Sequence, residues 1–206
     1  ELLGGPAAAA TLVERPARLD EDTRRLLEDE ALHAATNIRR MESAHFVTVL
    51  QDLLPKPWLG SPEVLWTPGE RGHPSTLWVS KLWEYINECK EAKLFENTWP
   101  LLPAFNNRTQ RRALLQVSQT CSLLTPPQGE EDKSLISPKL RSAMAALGVF
   151  FVDEQVLPGW QNNRAVAEYA QPLSTVGFLK ALAGVVDREG ENALGVRARA
   201  LSPEDR

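Results

Sequence analysis

Fifteen prolines divide this 206-residue chain into short pieces, and no other feature limits its fold so strongly. A proline ring fixes φ and removes a backbone donor, so it is tolerated at the ends of helices and strands but disrupts their interiors. Many of these prolines stand where apolar periodic stretches end, among them Pro55, Pro100, Pro103 and Pro172. The longest nearly apolar run, Ala143 to Val152, has ten residues and contains Gly148, whereas a membrane-spanning helix needs about 20. The expectation is a set of short elements with no membrane segment and no large parallel sheet.

Between the prolines the apolar spacing points to several helices. Asp20 to about Glu30 opens on acids, which suit an exposed helix N-terminus. Ser43 is expected to cap a helix in which Phe46, Leu50, Leu53 and Leu54 share a face before Pro55. Ser75 opens the clearest helix, whose predicted inward stripe is Trp78, Leu82, Tyr85, Ile86 and Cys89. Ser137 caps a further helix with Pro138 at its first position; Leu140, Ala143, Met144 and Leu147 form its apolar row and Gly148 ends it. A short helix is expected over 163–169. Another follows from Ser174, with Phe178, Leu179, Leu182, Val185 and Val186 facing inward.

Extended structure is sparser. Val64-Leu65-Trp66 reads as a short strand between turns, and Val149-Phe150-Phe151-Val152 as a buried one. Trp99-Pro100-Leu101-Leu102-Pro103 carries too many prolines for a central strand and reads as an edge strand or extended link. Residues 113–124 fit a strand or a helix, and 125–133 form a loop. These elements give an α+β fold, helix-dominated, with short, proline-interrupted strands. Residues 1–19 are expected to be a frayed lead-in, 20–187 a single module and 188–206 a mobile C-terminus.

The chemistry-bearing residues are few. A net charge of −4 and a pI near 5.5 oppose nucleic-acid binding, which needs a clustered positive excess. The chain has no G-x-G, no phosphate-loop pattern and no G-x-S-x-G elbow. His33, His45 and His73 lack the spacing of a zinc helix. Cys89 and Cys121 form no metal-type pair, and Cys89 falls on an apolar stripe. Glu130-Glu131-Asp132 reads as solvated acid, Arg108, Arg111 and Arg112 as a solvated basic face, and the sequon at Asn107 as incidental. No catalytic, cofactor-binding or metal residue is therefore assigned, and the chain is expected not to be an enzyme. Reduced thiols and the lack of a signal-peptide pattern suggest a cytoplasmic protein, and the opening at Glu1 a piece of a longer one.

Six tryptophans are many for this length. Large aromatics dominate both cores and interaction hot spots, so the cluster of Trp58, Trp66, Trp78, Trp83 and Trp99 is either a folding centre or a partner groove. The core is the expectation, with Trp83 and Trp99 buried together. Their brief link returns the extended segment to the helix it has just left.

The order of the tryptophan and proline landmarks carries a resemblance. It runs through Leu53-Leu54-Pro55-Lys56-Pro57-Trp58-Leu59-Gly60, Val64-Leu65-Trp66-Thr67-Pro68-Gly69, Trp78 to Tyr85, and Phe95-Glu96-Asn97-Thr98-Trp99-Pro100-Leu101-Leu102-Pro103. It continues through Leu147-Gly148-Val149, Phe151-Val152-Asp153, Val166 to Tyr169 and Gly177 to Leu182. Over roughly residues 13 to 186 this resembles the repeated region of the sacsin family of giant chaperones, outside its ATPase-like domain. The ATPase helix with its Glu and Asn pair and the D-x-G-x-G motif have no counterpart here, so no nucleotide residue carries over. The resemblance implies a non-catalytic scaffold or client-interaction segment of a chaperone or co-chaperone acting in protein folding. It would bind neighbouring units of one long chain, client proteins and, through absent domains, the seventy-kilodalton heat-shock chaperone. Two other readings stand beside it: a peptide-binding module with a tryptophan-lined groove, and an unfamiliar cytosolic enzyme using His45 or His73 with carboxylates.

Overall fold

In the computed structural model the described residues are 43–90, 92–118, 121–127, 136–190 and 192–201. The expected lead-in and the helix expected at 20–30 lie outside them. Helix α1 (Ser43–Leu53) buries Leu50 and delivers Leu54 to the core, and the helix stops before Pro55. A single 3-10 turn (Lys56–Trp58) then buries Trp58. Gly60, with φ of +75°, swings the chain out so that its N–H donates to the Thr98 carbonyl at 2.8 Å. Only a residue without Cβ takes that backbone freely.

Strand β1 (Glu63–Leu65) follows, then helix α2 (Thr76–Cys89). Ser75 caps α2 as expected, accepting a hydrogen bond from the Trp78 N–H at 3.1 Å. The helix ends where Lys90 turns left-handed. Its buried face is Val79, Leu82, Trp83 and Ile86, while Trp78 and Tyr85 are half-buried. The predicted stripe was thus rotated by about one position: Trp83, wider than either neighbour, takes the centre of the buried face. A 3-10 turn (Ala92–Phe95) leads from α2 to the sheet.

Strands β2 (Pro100–Asn106), β3 (Arg111–Gln116), β4 (Leu123–Leu124) and β5 (Phe150–Val152) join β1 in a mixed sheet ordered β1-β3-β2-β5-β4. All pairs are antiparallel except β4 with β5. The proline-rich segment expected at an edge is therefore central. Its prolines are accommodated in two ways. Pro100 starts the strand, and the register shifts between Pro100 and Leu102, so one residue escapes the ladder with β3. The Pro103 carbonyl accepts from the Asp153 N–H at 3.1 Å, which sets that residue's backbone polar groups toward the end of the three-residue β5, where the missing donor has no strand partner to lose.

Helix α3 (Pro138–Ala146) is capped by Ser137, whose hydroxyl accepts from the Leu140 N–H, and Gly148 closes it with φ of +92°. Leu140 and Leu147 are more exposed than their place in the apolar row implies; Met144 and Ala145 are the buried pair. Helix α4 (Arg164–Tyr169) is capped by Asn163 and helix α5 (Thr175–Glu189) by Ser174. Helix α5 continues through Glu189, and helix α6 (Ala193–Arg199) follows it.

The sheet separates two cores. Alternation sends Leu123, Phe150 and Val152 into a large cluster with α1, α2 and α4. It sends Leu124 and Phe151 into a smaller one with Met144, Val149, Ala181 and Val185. Trp83 and Trp99 are both buried in the large cluster, and the Trp83 indole donates to the Leu101 carbonyl of β2 at 2.8 Å. Tyr169 anchors α4 there as well, its hydroxyl donating to Glu96 at 2.8 Å. Among the described residues no helix is long and apolar enough to cross a membrane.

Candidate functional site

Among the described residues the sequence candidates do not converge. His73 is occupied locally: its Nδ1 accepts from the Thr67 N–H at 3.0 Å and its ring meets Trp58 edge-on at 5.1 Å. His33 and Glu130-Glu131-Asp132 lie outside the described residues, as do the side chains of His45 and Cys89. Arg108 and Arg111 are exposed at the β2–β3 turn, where the Asn106 side chain accepts from the backbone N–H groups of Arg108 and Thr109. Arg112 is not part of a free basic face. It donates to Asp153 at 2.7 Å and to Gln155, so the buried Asp153 carboxylate is neutralised from the neighbouring strand. Trp66 and Trp99 are only 2% and 1% exposed, and the Trp66 indole donates to the Pro74 carbonyl at 2.8 Å. Neither offers a face to a peptide.

The structure instead gathers charge at one end of α5. Arg188 is nine-tenths buried. It donates to the Ser122 hydroxyl, to the Gly148 carbonyl at 3.2 Å and to Glu189 at 2.8 Å, and lies 5.7 Å from the Phe150 ring centre. Its Nε–H has no hydrogen-bond acceptor; the nearest carboxylate oxygen, on Glu63 of β1, is 3.7 Å away. Arg197 of α6 completes the group with two bonds to Glu189, at 2.8 and 2.9 Å.

Electrostatics divide the two acids. Burial pushes the Glu63 carboxyl above its ordinary range, and the attraction of Arg188 only partly offsets this. Burial pushes Glu189 the same way, but hydrogen bonds from Arg188 and Arg197 prevail and hold it below that range. Nothing short of the fold announces this network. Its members are separated by up to 134 positions, and the only local hint is the Arg188-Glu189 pair placed before Gly190.

Beside Arg188 lies a cavity of about 330 Å³ bordered by Pro62, Gln116, Cys121, Ser122 and Asp187. It contains a thiol, a hydroxyl and a carboxylate, but not in a nucleophilic arrangement. Burial pushes the Cys121 thiol up to about 12, leaving almost no thiolate at neutral pH. Smaller hollows of about 200 and 160 Å³ lie beside Trp160 and beside Arg141. No cluster of three or more His, Cys, Asp or Glu among the described residues could hold a metal ion.

Against this interior the apolar residues left outside are informative. Val176 and Leu179 on α5 are 63% and 60% exposed, and Ala183 continues their row one turn on. Leu179, expected inward, faces out because the buried face of α5 is the opposite one, carrying Gly177, Ala181, Gly184 and Val185. Comparison with protein-family models, with curated proteins and with solved structures found no match.

Proposed function

We propose that this chain is a non-catalytic scaffold segment of a sacsin-like cytoplasmic chaperone, packing against neighbouring units of one long chain and presenting surface to client proteins. The observation that carries the reading is the outward apolar row Val176, Leu179 and Ala183 on a helix whose opposite face is already buried. Side chains that contribute nothing to the chain's own cores, repeated at helical spacing, suit contact with another apolar surface. The landmark residues behind the resemblance support it in a second way. Trp58, Trp66, Trp83 and Trp99 build the large core, the place where a family-wide landmark has a structural reason to sit. Contact with the seventy-kilodalton heat-shock chaperone belongs, in this reading, to domains outside these residues.

The test is light scattering from a thermally unfolding client protein with and without the purified chain. The wild type should suppress aggregation, and Val176→Asp with Leu179→Asp should lose most of that suppression. The fold should survive, because surface substitutions usually change stability by no more than about 0.5 kcal/mol. No suppression by the wild type, or equal suppression by the double variant, would contradict the proposal.

A further inference from the structure

Helix α6 is attached to the rest of the molecule in an unusual way for an ordered terminal element. It has seven residues, none of them buried, and its Asn192 makes no side-chain cap. It also contains Gly195. A helix this short does not persist alone in water, since isolated helices below about 12 residues are marginal even in alanine-rich sequences. What holds it is outside itself. Leu194 packs, partly buried, on the second core, as do Leu182 and Phe178. Arg197 makes a forked pair with Glu189 and donates to the Ala146 carbonyl at 3.4 Å. The Arg197 guanidinium lies so close over the turn ending α3 that a Cβ on Gly148 would come within 3.3 Å of its Cζ.

We propose that α6 is a releasable strap over the second core, closed by the Arg197–Glu189 pair and opened by ionic strength or by loss of that pair. Side chains of the pair are 36% and 25% exposed, so salt reaches them, and the screening length shrinks from about 10 Å at 0.1 M to about 3 Å at 1 M. Opening removes Leu194 and uncovers apolar side chains of α5 and the α3–β5 corner. It leaves the large core on the other face of the sheet untouched. The inference rests on contacts within this chain and stands whether or not the chain acts as a chaperone segment.

Hydrogen exchange followed by mass spectrometry on the full chain tests it, with an apolar-surface dye as the second readout. In Arg197→Ala at 0.1 M salt, amides of 193–201 should exchange about two to five times faster than in the wild type, the range expected for an exposed ion pair. Dye fluorescence should rise, while β2 and β3 keep their protection. The wild type at 1 M salt should show the same acceleration, so the idea is testable even if the variant folds poorly. Arg199→Ala removes a charge from the same helix whose Nε bonds, among the described residues, to the Gly195 carbonyl within that helix, and should change nothing. Unchanged exchange in both Arg197→Ala and high salt would overturn the strap, as would faster exchange without added dye binding, or an equal effect from Arg199→Ala.

Discussion

The two cores on either side of the sheet are built by different means. The large one is closed by bulky side chains from many elements: Trp58, Trp66, Trp83, Trp99, Trp160 and Tyr169 converge on Leu101, Leu102 and Leu114, and the Trp83 indole is tied to the strand it packs on. The small one has one fully buried aromatic, Phe151, among aliphatic, methionine and alanine side chains, with Phe178 packed partly buried against it. Its edges are closed by the salt-linked Arg188, Glu189 and Arg197 and by a helix with no buried residue. Burial of large apolar area resists local opening far better than partly exposed ion pairs, which contribute about 0–1 kcal/mol each. One face of the sheet is therefore a rigid platform and the other a looser attachment.

The widest gap between the faces should come from truncating a tryptophan. Trp83→Ala or Trp99→Ala should cost about 3–5 kcal/mol in denaturant unfolding, and Trp83→Ala also leaves the Leu101 carbonyl without its donor. A change within about 0.5 kcal/mol would make these surface residues instead. On the other face the most damaging single change should be backbone-driven. A Cβ at Gly177 would lie 1.9 Å from the Pro172 carbonyl oxygen, so Gly177→Ala must force the first turn of α5 and the Pro172 segment apart, at about 1–3 kcal/mol. Equal stability of that variant by thermal unfolding would show that α5 is not held where described.

Arg112→Ala tests the polar seam of the platform. It leaves the buried Asp153 carboxylate without its cation and should cost about 1–3 kcal/mol. Asp153→Asn in the same background should recover part of the loss, and a failure to recover would assign the cost to the arginine's packing.

The smallest effects belong to the acids of the loose face and have opposite signs. Glu189 is held below the ordinary carboxylate range. Its ionised form thus favours the fold, a contribution present above that range and lost as pH falls through the folded value. Glu63 is held above the range. Its protonated form favours the fold, a contribution present below that range and lost as pH rises through the folded value. At neutral pH Glu189→Gln should lower stability and Glu63→Gln should raise it, each within about 1 kcal/mol. Urea unfolding of both variants at pH 7 and pH 4 checks the signs; shifts in the same direction at pH 7 would overturn this division.

What could be read from the sequence follows from how local the controlling interaction is. The caps at Ser75, Ser137 and Ser174 each depend on a backbone N–H three residues away, and each is where the local spacing places it. The burial of Trp83 with Trp99 was legible because a short link joins their elements. The central place of β2 was not, because the tolerance of Pro103 depends on β5, almost fifty residues later. Nor was the outward turn of Leu179, since hydropathy reports that a face is apolar but not that the fold buries the opposite one. The charge network was hidden for the same reason. Arg188 meets Ser122 and Glu63 only once the sheet has brought three distant segments together.

The most direct test of the contrast between the two faces is native-state hydrogen exchange in rising subdenaturing guanidinium. Amides of Leu101, Leu102 and Leu114 should exchange only through global unfolding, with a steep denaturant dependence. Those of 194–197 should exchange through a low-energy local opening that hardly depends on denaturant, and those of 181–186 should fall between. A single steep isotherm shared by all three groups would mean that the two cores unfold as one, and the account of a rigid platform with a loosely closed second face would be wrong.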